Sequence, residues 1–262
     1  ILYPTLFKTE HLLMKSTSKH IKGIITRCTN YKEADRIFTL ISDSGIMNFI
    51  ARGAKKPKSR LSGHIEPLNY VNLYYRPSKS LNSVSQVESI NSFLEIKKEY
   101  NLILKAQYMM ELSESLSSEN EDNSYILSLL IKTLSNIHNS KIPNLDILIY
   151  EFEILKYQGF GIRLFDCTNC NKKLERSEHY FSSKAGGFYC GNCFDSKEIH
   201  YECIRVSIEQ QLLLRTISRK KYMELANLDL REKEIDTCRK LIQNSVRDVI
   251  GVQLKTVNFS EL

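Results

Sequence analysis

The sequence predicts an α+β protein: a small barrel of five short strands, then a helical region into which a cysteine-rich segment is inserted. Three observations carry this reading. Apolar residues alternate with a period of two up to about residue 93 and with a helical period from Tyr100 onward. Five of the seven cysteines fall between residues 166 and 203. Net positive charge is confined to one stretch: residues 14–98 hold 15 Lys and Arg against 6 Asp and Glu, whereas residues 99–262 hold 21 against 23.

The chain has 262 residues, 42% hydrophobic and 26% charged, which suits one or two globular domains. Ten Gly and five Pro exclude collagen-like and low-complexity classes, and no heptad pattern is sustained. No stretch reaches the roughly 18–20 uncharged apolar residues of a membrane helix. The best, residues 125–137, is short and carries Lys132. Residues 1–13 are interrupted by Lys8 and Glu10 and make a poor signal peptide. They are expected to lie outside the barrel domain; the alternative is a short helix that packs Leu6, Leu12 and Leu13 down. The expected setting is soluble and cytoplasmic.

Strand candidates are residues 21–28, 36–42, 46–52, 68–76 and 83–93, rich in Ile, Val, Thr, Tyr and Phe. Asp43-Ser44-Gly45 is a tight-hairpin signal between the second and third. Five short strands in about 75 residues fit a small barrel better than a sandwich, and a basic loop on such a barrel is the OB-fold pattern. That loop is Arg52-Gly53-Ala54-Lys55-Lys56-Pro57-Lys58-Ser59-Arg60, five positive charges in nine residues with no acid. Gly53 ends a strand and Pro57 stops it from continuing, so the charge is presented on an exposed loop suited to a phosphate backbone. Phe38, Phe49, Tyr70, Tyr74 and Tyr75 are candidate stacking surfaces, although most must fill the barrel.

From Tyr100 onward the period is helical. Leu102, Ala106, Met109 and Leu116 share a face, and a polar turn follows at 117–124. Ile126, Leu130, Leu134 and Ile137, widened by Leu127 and Ile131, predict a helix buried on most sides. Pro143 suits a first helical turn, Leu145, Leu148, Phe152 and Leu155 continue it, and Gly159 stops it. After the insertion, Ser207-Ile208-Glu209-Gln210 and Asp229-Leu230-Arg231-Glu232 resemble capping boxes. Ile235, Cys238, Ile242, Val246 and Val249 mark a final helix. Arg219-Lys220-Lys221 is a shorter basic patch, read as an exposed helix face. The expected division is 14–98 barrel, 99–165 first helical part, 166–203 inserted zinc ribbon and 204–262 second helical part.

Cys167-Thr168-Asn169-Cys170 and Cys190-Gly191-Asn192-Cys193 are two C-x-x-C pairs with nineteen residues between them, the spacing of a four-thiolate zinc ribbon. Each pair turns its sulfurs onto one ion, and the two turns complete a tetrahedron. Gly191 and Asn169 are expected to supply the tight knuckle conformations, and Gly186-Gly187 the intervening hairpin turn. One structural Zn(2+) per chain is expected, bound by Cys167, Cys170, Cys190 and Cys193. A closed all-sulfur site leaves no position for a reactive water. His179 and Cys203 are poorer stand-ins, and Cys28 and Cys238 read as ordinary buried thiols.

There is no G-x-x-x-x-G-K-[ST], G-x-S-x-G or H-E-x-x-H, so neither a P-loop nucleotide site nor a known hydrolytic constellation is expected, and the chain is read as not an enzyme. A zinc hydrolase or deaminase would need an open metal position with a nearby acid–base group. An RNA-binding barrel-and-ribbon protein of translation or transcription is the alternative, against which the long helical part counts.

The residues then resemble a family. Tyr31-Lys32-Glu33-Ala34-Asp35-Arg36-Ile37, Gly45, Ala51-Arg52-Gly53-Ala54-Lys55-Lys56 with Ser59-Arg60, Tyr150-Glu151-Phe152 with Leu155 and Gly159, and the two Cys pairs preceded by Phe181-Ser182 and Gly186-Gly187 carry the likeness. In this order they are similar to the RecO family of bacterial DNA repair and recombination mediators. The resemblance begins near Ile24 and covers most of the chain; the stretch before Met14 is not part of the family pattern. It implies binding to single- and double-stranded DNA, annealing of complementary strands, contact with single-strand-binding protein, and help to RecR in loading RecA, without a nucleotide cofactor and away from any membrane. On that reading Arg27, Lys32, Arg36, Arg52, Lys55, Lys56, Lys58 and Arg60 neutralise phosphates.

Overall fold

A strand that changes partners halfway closes the N-terminal barrel of the computed structural model, which describes residues 18–119, 121–196, 202–219 and 231–256. Residues 1–13, Lys220, Lys221 and the Asp229 cap lie outside the described residues. β1 (Lys19–Tyr31) pairs antiparallel with β4 (Tyr70–Arg76) through its first half and with β2 (Asp35–Ser42) through its second. The Asp43-Ser44 turn leads from β2 into β3 (Gly45–Ala51), which meets the start of β5 (Asn82–Asn91) in parallel. β5 then runs beside β4, giving the closed order β1-β2-β3-β5-β4. This is the OB-type barrel that the strand pattern predicts.

Gly23 sits at the change of partner, opposite Val71 of β4 and Ser42 of β2 at once. A Cβ there would overlap the Ile41 carbonyl oxygen, so the close approach needs glycine. Beyond it Thr26 bulges out of the β1–β2 ladder, between Ile25 and Arg27. Alternation then sorts the side chains. Ile21, Ile25, Phe38, Leu40, Phe49, Val71, Leu73, Tyr75, Val84 and Val87 fill the barrel. Phe38 stacks on Phe49 with ring centres 5.4 Å apart, and Tyr75 meets Phe49 edge-on at 5.1 Å. This corrects the stacking candidates: Phe38, Phe49 and Tyr75 are core residues, Tyr70 packs against the helical core, and only Tyr74 is exposed.

The helices form a second core, to which Ile24 and Ile41 contribute from the outer barrel face. α1 (Leu94–Lys98) is entered through Phe93 in the left-handed conformation (φ 46°); five residues are too few to show a period, and the sequence did not reveal it. α2 (Tyr100–Leu116), α3 (Ser124–Ile137) and α4 (Pro143–Tyr157) follow as expected. One expectation changes. α3 keeps an open face at Tyr125, Ser128, Lys132 and Ser135, whereas α4 shows no exposed residue from Pro143 to Leu155. α4 is central because α2, α3 and α7 (Glu232–Ile250) surround it.

Its burial is hidden in the sequence by Asp146 and Glu151, both buried. The Tyr108 hydroxyl donates to Glu151 at 2.6 Å, and Arg239 of α7 lies 3.7 Å away. Burial pushes the Glu151 carboxyl up, against the pull of Arg239 and of that hydrogen bond. Asn144 accepts from Arg239 (3.1 Å) and donates to Asp236 (2.7 Å), so Arg239 of α7 meets two groups of α4. The ribbon segment adds β6 (His179–Ser182), β7 (Gly187–Tyr189), α5 (Gly191–Asp195) and β8 (Ile204–Val206) in sheet order β7-β6-β8. α6 (Ile208–Arg219) starts on the expected capping box: Ser207 and Gln210 exchange hydrogen bonds at 3.0 and 3.3 Å.

Two outcomes follow for stability. Gly23→Ala should cost about 3 kcal/mol in urea unfolding, the upper end for overpacking, whereas Gly63→Ala, with open space around its Cβ, should be near neutral. Arg239→Met should cost about 3–5 kcal/mol because it strands Glu151, and adding Glu151→Gln should recover much of the loss.

Candidate nucleic-acid interface and metal centre

The strand register links five segments in one hydrogen-bonded row that winds around the barrel. Tyr31 opposite Asp35 closes β1 on β2, and Arg36 opposite Ala51 brings up the end of β3. Phe49 opposite Asn82 adds the start of β5, Arg76 opposite Ser83 the end of β4, and Lys19 opposite Tyr75 the start of β1. The β2–β3 hairpin is held against the helices: the Ile46 N–H donates to the Ser118 carbonyl at 3.3 Å, and the Asn123 N–H to the Asp43 carbonyl at 2.8 Å. Lys19, Lys32, Arg52, Arg76 and Lys79 stand exposed along the row and form a basic rim around the barrel.

The basic loop is held in shape rather than left loose. Ala54 is fully buried in the barrel core. The Gly53 N–H donates to Asp35 Oδ1 at 2.8 Å, and the Lys55 N–H to the Ala34 carbonyl at 2.9 Å, which ties the loop to the β1–β2 turn. Gly53 takes a left-handed conformation (φ 68°) to allow this. Turns at Lys56 (3.1 Å to the Gly53 carbonyl) and Ser59 (2.9 Å to the Lys56 carbonyl) complete it. Arg52, Lys55, Lys56, Lys58 and Arg60 all point to solvent, and among the described residues none is ion-paired. Lys32 joins them from the β1–β2 turn, its ammonium 5.3 Å from the Tyr31 ring centre and its carbonyl 3.5 Å from Lys55 Nζ.

Six of the eight cations singled out in the sequence thus lie on the loop or the turn that holds it. Two are elsewhere. Arg27 is paired with Glu114 of α2 on the barrel–helix seam, and the Glu114 hydrogen bond raises its pKa. Arg36 donates to the Ile65 carbonyl at 3.1 Å and fixes the connection between β3 and β4. The seam carries a groove of 610 Å³ in which Glu111 and Glu114 face Arg27 and Lys255. Glu111 there binds the Lys255 and Thr256 N–H groups at 3.0 Å each and the Thr256 hydroxyl at 2.6 Å. Lys19, Arg76 and Lys79 are rim cations that sequence reasoning missed. Only the pairing of β1 with β4, and of β4 with β5, brings them beside Arg52.

The four predicted cysteines come together. The Sγ atoms of Cys167, Cys170, Cys190 and Cys193 lie within 4.8 Å of one another, and Cys170 and Cys190 are 3.9 Å apart. A tetrahedron with metal–sulfur bonds of about 2.3 Å has edges of about 3.8 Å, so the donor set fits a thiophilic divalent ion. The Cys190 N–H points at Cys167 Sγ (3.4 Å), and Asn169 Nδ2 at Cys193 Sγ (3.5 Å). Burial opposes ionisation of Cys167, but N–H groups of Cys170, Cys190 and Asn169 hold its thiol down at about 6. The knuckle expectation needs correction. The left-handed residue of the first knuckle is Asn171 (φ 59°), not Asn169, while Gly191 opens α5 without a positive φ. Asn169 spends its side chain on sulfur instead. His179 is buried and bonded to the Glu175 carbonyl at 3.0 Å, outside the cluster. Cys203 packs beside the cluster without joining it. Cys238 is fully buried and pushed up to about 12, an inert thiol, and Cys28 is half-buried.

Two family models match the chain: Recombination protein O N terminal over residues 14–93 and Recombination protein O C terminal over residues 98–257. The chain belongs to the RecO family. It is 30% identical over 237 residues to a DNA repair protein RecO of Dehalococcoides mccartyi (strain CBDB1), covering 90% of this chain and 92% of the relative. It is 29% identical to that of Bacillus pumilus (strain SAFR-032) with 91% of each chain covered, and 28% identical to that of Bacillus subtilis (strain 168) with 91% and 92% covered. Among the described residues no helix is long and apolar enough to cross a membrane.

In this RecO-family chain the metal cluster and the basic rim belong to separate cores, so each is testable alone. Protein prepared without chelators should carry one tetrahedral metal ion per chain by elemental analysis. Cys190→Ser should lose the ion and destabilise the ribbon, since metal ligation in small modules supplies about 10 kcal/mol or more of folding free energy. It should leave the barrel's binding of nucleic acid in place.

Proposed function

We propose that this chain is a DNA-binding recombination mediator. It binds single- and double-stranded DNA through the barrel rim and the 52–60 loop, anneals complementary strands, and with RecR helps load RecA on DNA coated with single-strand-binding protein. It consumes no nucleotide and breaks no covalent bond. The observation that carries this reading is the basic loop itself: five exposed cations, unpaired among the described residues and fixed against the β1–β2 turn. The relatives, DNA repair proteins RecO, support the same setting.

The physical account needs only charge and proximity. Lys32, Arg52, Lys55, Lys56, Lys58 and Arg60 replace counterions on the phosphate backbone, and the released ions drive binding. Excess positive charge lowers the repulsion between two strands, and base pairing supplies the specificity. The metal is zinc, one per chain and structural: four thiolates suit it, and they leave no open position for a substrate. The working division is a DNA-binding barrel at 14–98, helical parts at 99–165 and 204–262, and the ribbon at 166–203.

The reading is tested by annealing of complementary strands coated with single-strand-binding protein, with and without this chain. Replacing Lys55, Lys56, Lys58 and Arg60 together with Ala should slow annealing more than it weakens binding of one strand, because a second polyanion needs the surplus charge. Each lost phosphate contact should also flatten the log–log salt dependence by about 0.7 for single strands. Equal proportional losses would reduce the loop to a grip on one strand.

A further inference from the structure

The outer face of β1 and β4 is covered by the helices over only part of its length. Ile24 and Tyr70, opposite one another, pack into the helical core. Nearer the rim the same ladder is open. His20 lies opposite Tyr74 and Lys22 opposite Asn72, and Arg76 follows on β4. His20, Lys22 and Arg76 are exposed, and the Tyr74 residue is 39% exposed. The two rings sit side by side with centres 5.0 Å apart and planes inclined by 40°. The His20 ring is bonded through Nε2 to the Asn72 side chain, which fixes its orientation. Glu88, opposite Asn72 on β5, is engaged by Gln86 at 2.9 Å.

Cross-strand aromatic pairs often serve only the sheet. This pair differs in what surrounds it: open solvent over the rings, a cation on either side, and a direct route to the basic loop. Arg76 leads through Lys79 of the β4–β5 connection to Arg52, because Asn82 and Ser83 pair with Phe49 and Ile50. The exposed Tyr125 and Tyr157 offer a contrast. Their rings stack on each other at 4.3 Å, and the Tyr125 hydroxyl donates to Glu153, so that pair is self-satisfied beside an acid.

We propose that His20 and Tyr74 form a stacking platform for unpaired bases of a single strand, with Lys22 and Arg76 taking the flanking phosphates. This rests on the DNA-binding reading above and deepens it, because it gives the barrel a way to tell single strands from duplex. A duplex keeps its base faces inside the stack, and only an unpaired strand can lay a base on a ring. The loop, by contrast, sees phosphates on either form.

The chain contains no tryptophan, so Tyr74→Trp in the full-length protein is a single reporter. Titration with oligothymidylate should quench its emission in step with binding followed by anisotropy of a labelled oligonucleotide, and a blunt duplex should bind without quenching. The double variant His20→Ala/Tyr74→Ala should bind oligothymidylate about tenfold more weakly, about one stacked base. Its salt slope and duplex affinity should match wild type, since stacking releases no counterions. Tyr74→Phe, which keeps the ring, should retain full affinity, and thermal melts equal to wild type would exclude a folding defect. Silent emission during oligothymidylate binding, or an undiminished affinity of the double variant, overturns the platform and leaves the DNA-binding reading standing. Failure of the wild type to bind oligothymidylate overturns both.

Discussion

The fold turns on one strand serving two ladders. β1 can pair with β4 and then with β2 only because the chain passes Gly23 with nothing where a Cβ would meet the Ile41 carbonyl. That crossing closes the barrel, and closure decides what each end presents. The β2–β3 hairpin is directed to the helices, where Ser118 and Asn123 hold it. The β1–β2 turn, the 52–60 loop and the β4–β5 connection instead carry their cations in solvent. Charge scattered along 60 residues of sequence, from Lys19 to Lys79, becomes one electrostatic feature. An open sheet with the same sequence would spread those cations along two separate edges.

The helical half solves a different problem. It must hold the barrel from one side without competing for its basic rim. Glu114 neutralises Arg27 at the seam, and Glu111 holds the chain near its C-terminal end. Carboxylates are therefore stationed where the barrel meets the helices and are absent from the 52–60 loop. Deeper in, the Tyr108–Glu151–Arg239 arrangement joins α2, α4 and α7 through a buried charge pair. Such a pair adds little net stability compared with apolar packing, but it penalises any shift in register among the three helices.

Much of this was legible from the residues, for physical reasons. Strand alternation is local, so all five barrel strands could be read, with ends misplaced by a few residues where pairing extends past the apolar run, as at Lys19 and Tyr31. The basic loop declared itself by five cations without an acid, and the metal site by spacing alone. What could not be read depends on pairing across the chain. Arg27 looked identical to the loop cations until α2 placed Glu114 against it. Tyr74 and Tyr75 are neighbours in sequence, yet the pleat sends one to solvent and the other into the core. α4 looked amphipathic because its buried charges find partners on distant helices.

The ribbon has little interior beyond its four-cysteine cluster. Among the described residues, Cys167, Tyr189 and Cys193 are buried there in a cluster of their own. Its larger apolar side chains, Phe181, Phe188 and Val206, are spent on the helical core instead. A module that gives away its hydrophobic residues in this way has too little interior left to fold alone. Four thiolates placed to hold one ion would supply the missing centre, and N–H···S bonds fix the knuckles at the same time. Because Phe181 and Phe188 belong to both halves, and Gln211 of α6 bonds back to the Ser177 carbonyl at 3.0 Å, the ordered ribbon also fixes how α6 leaves it. The four-cysteine cluster therefore bears on the helical core, through packing, while the basic loop presents its charge to solvent.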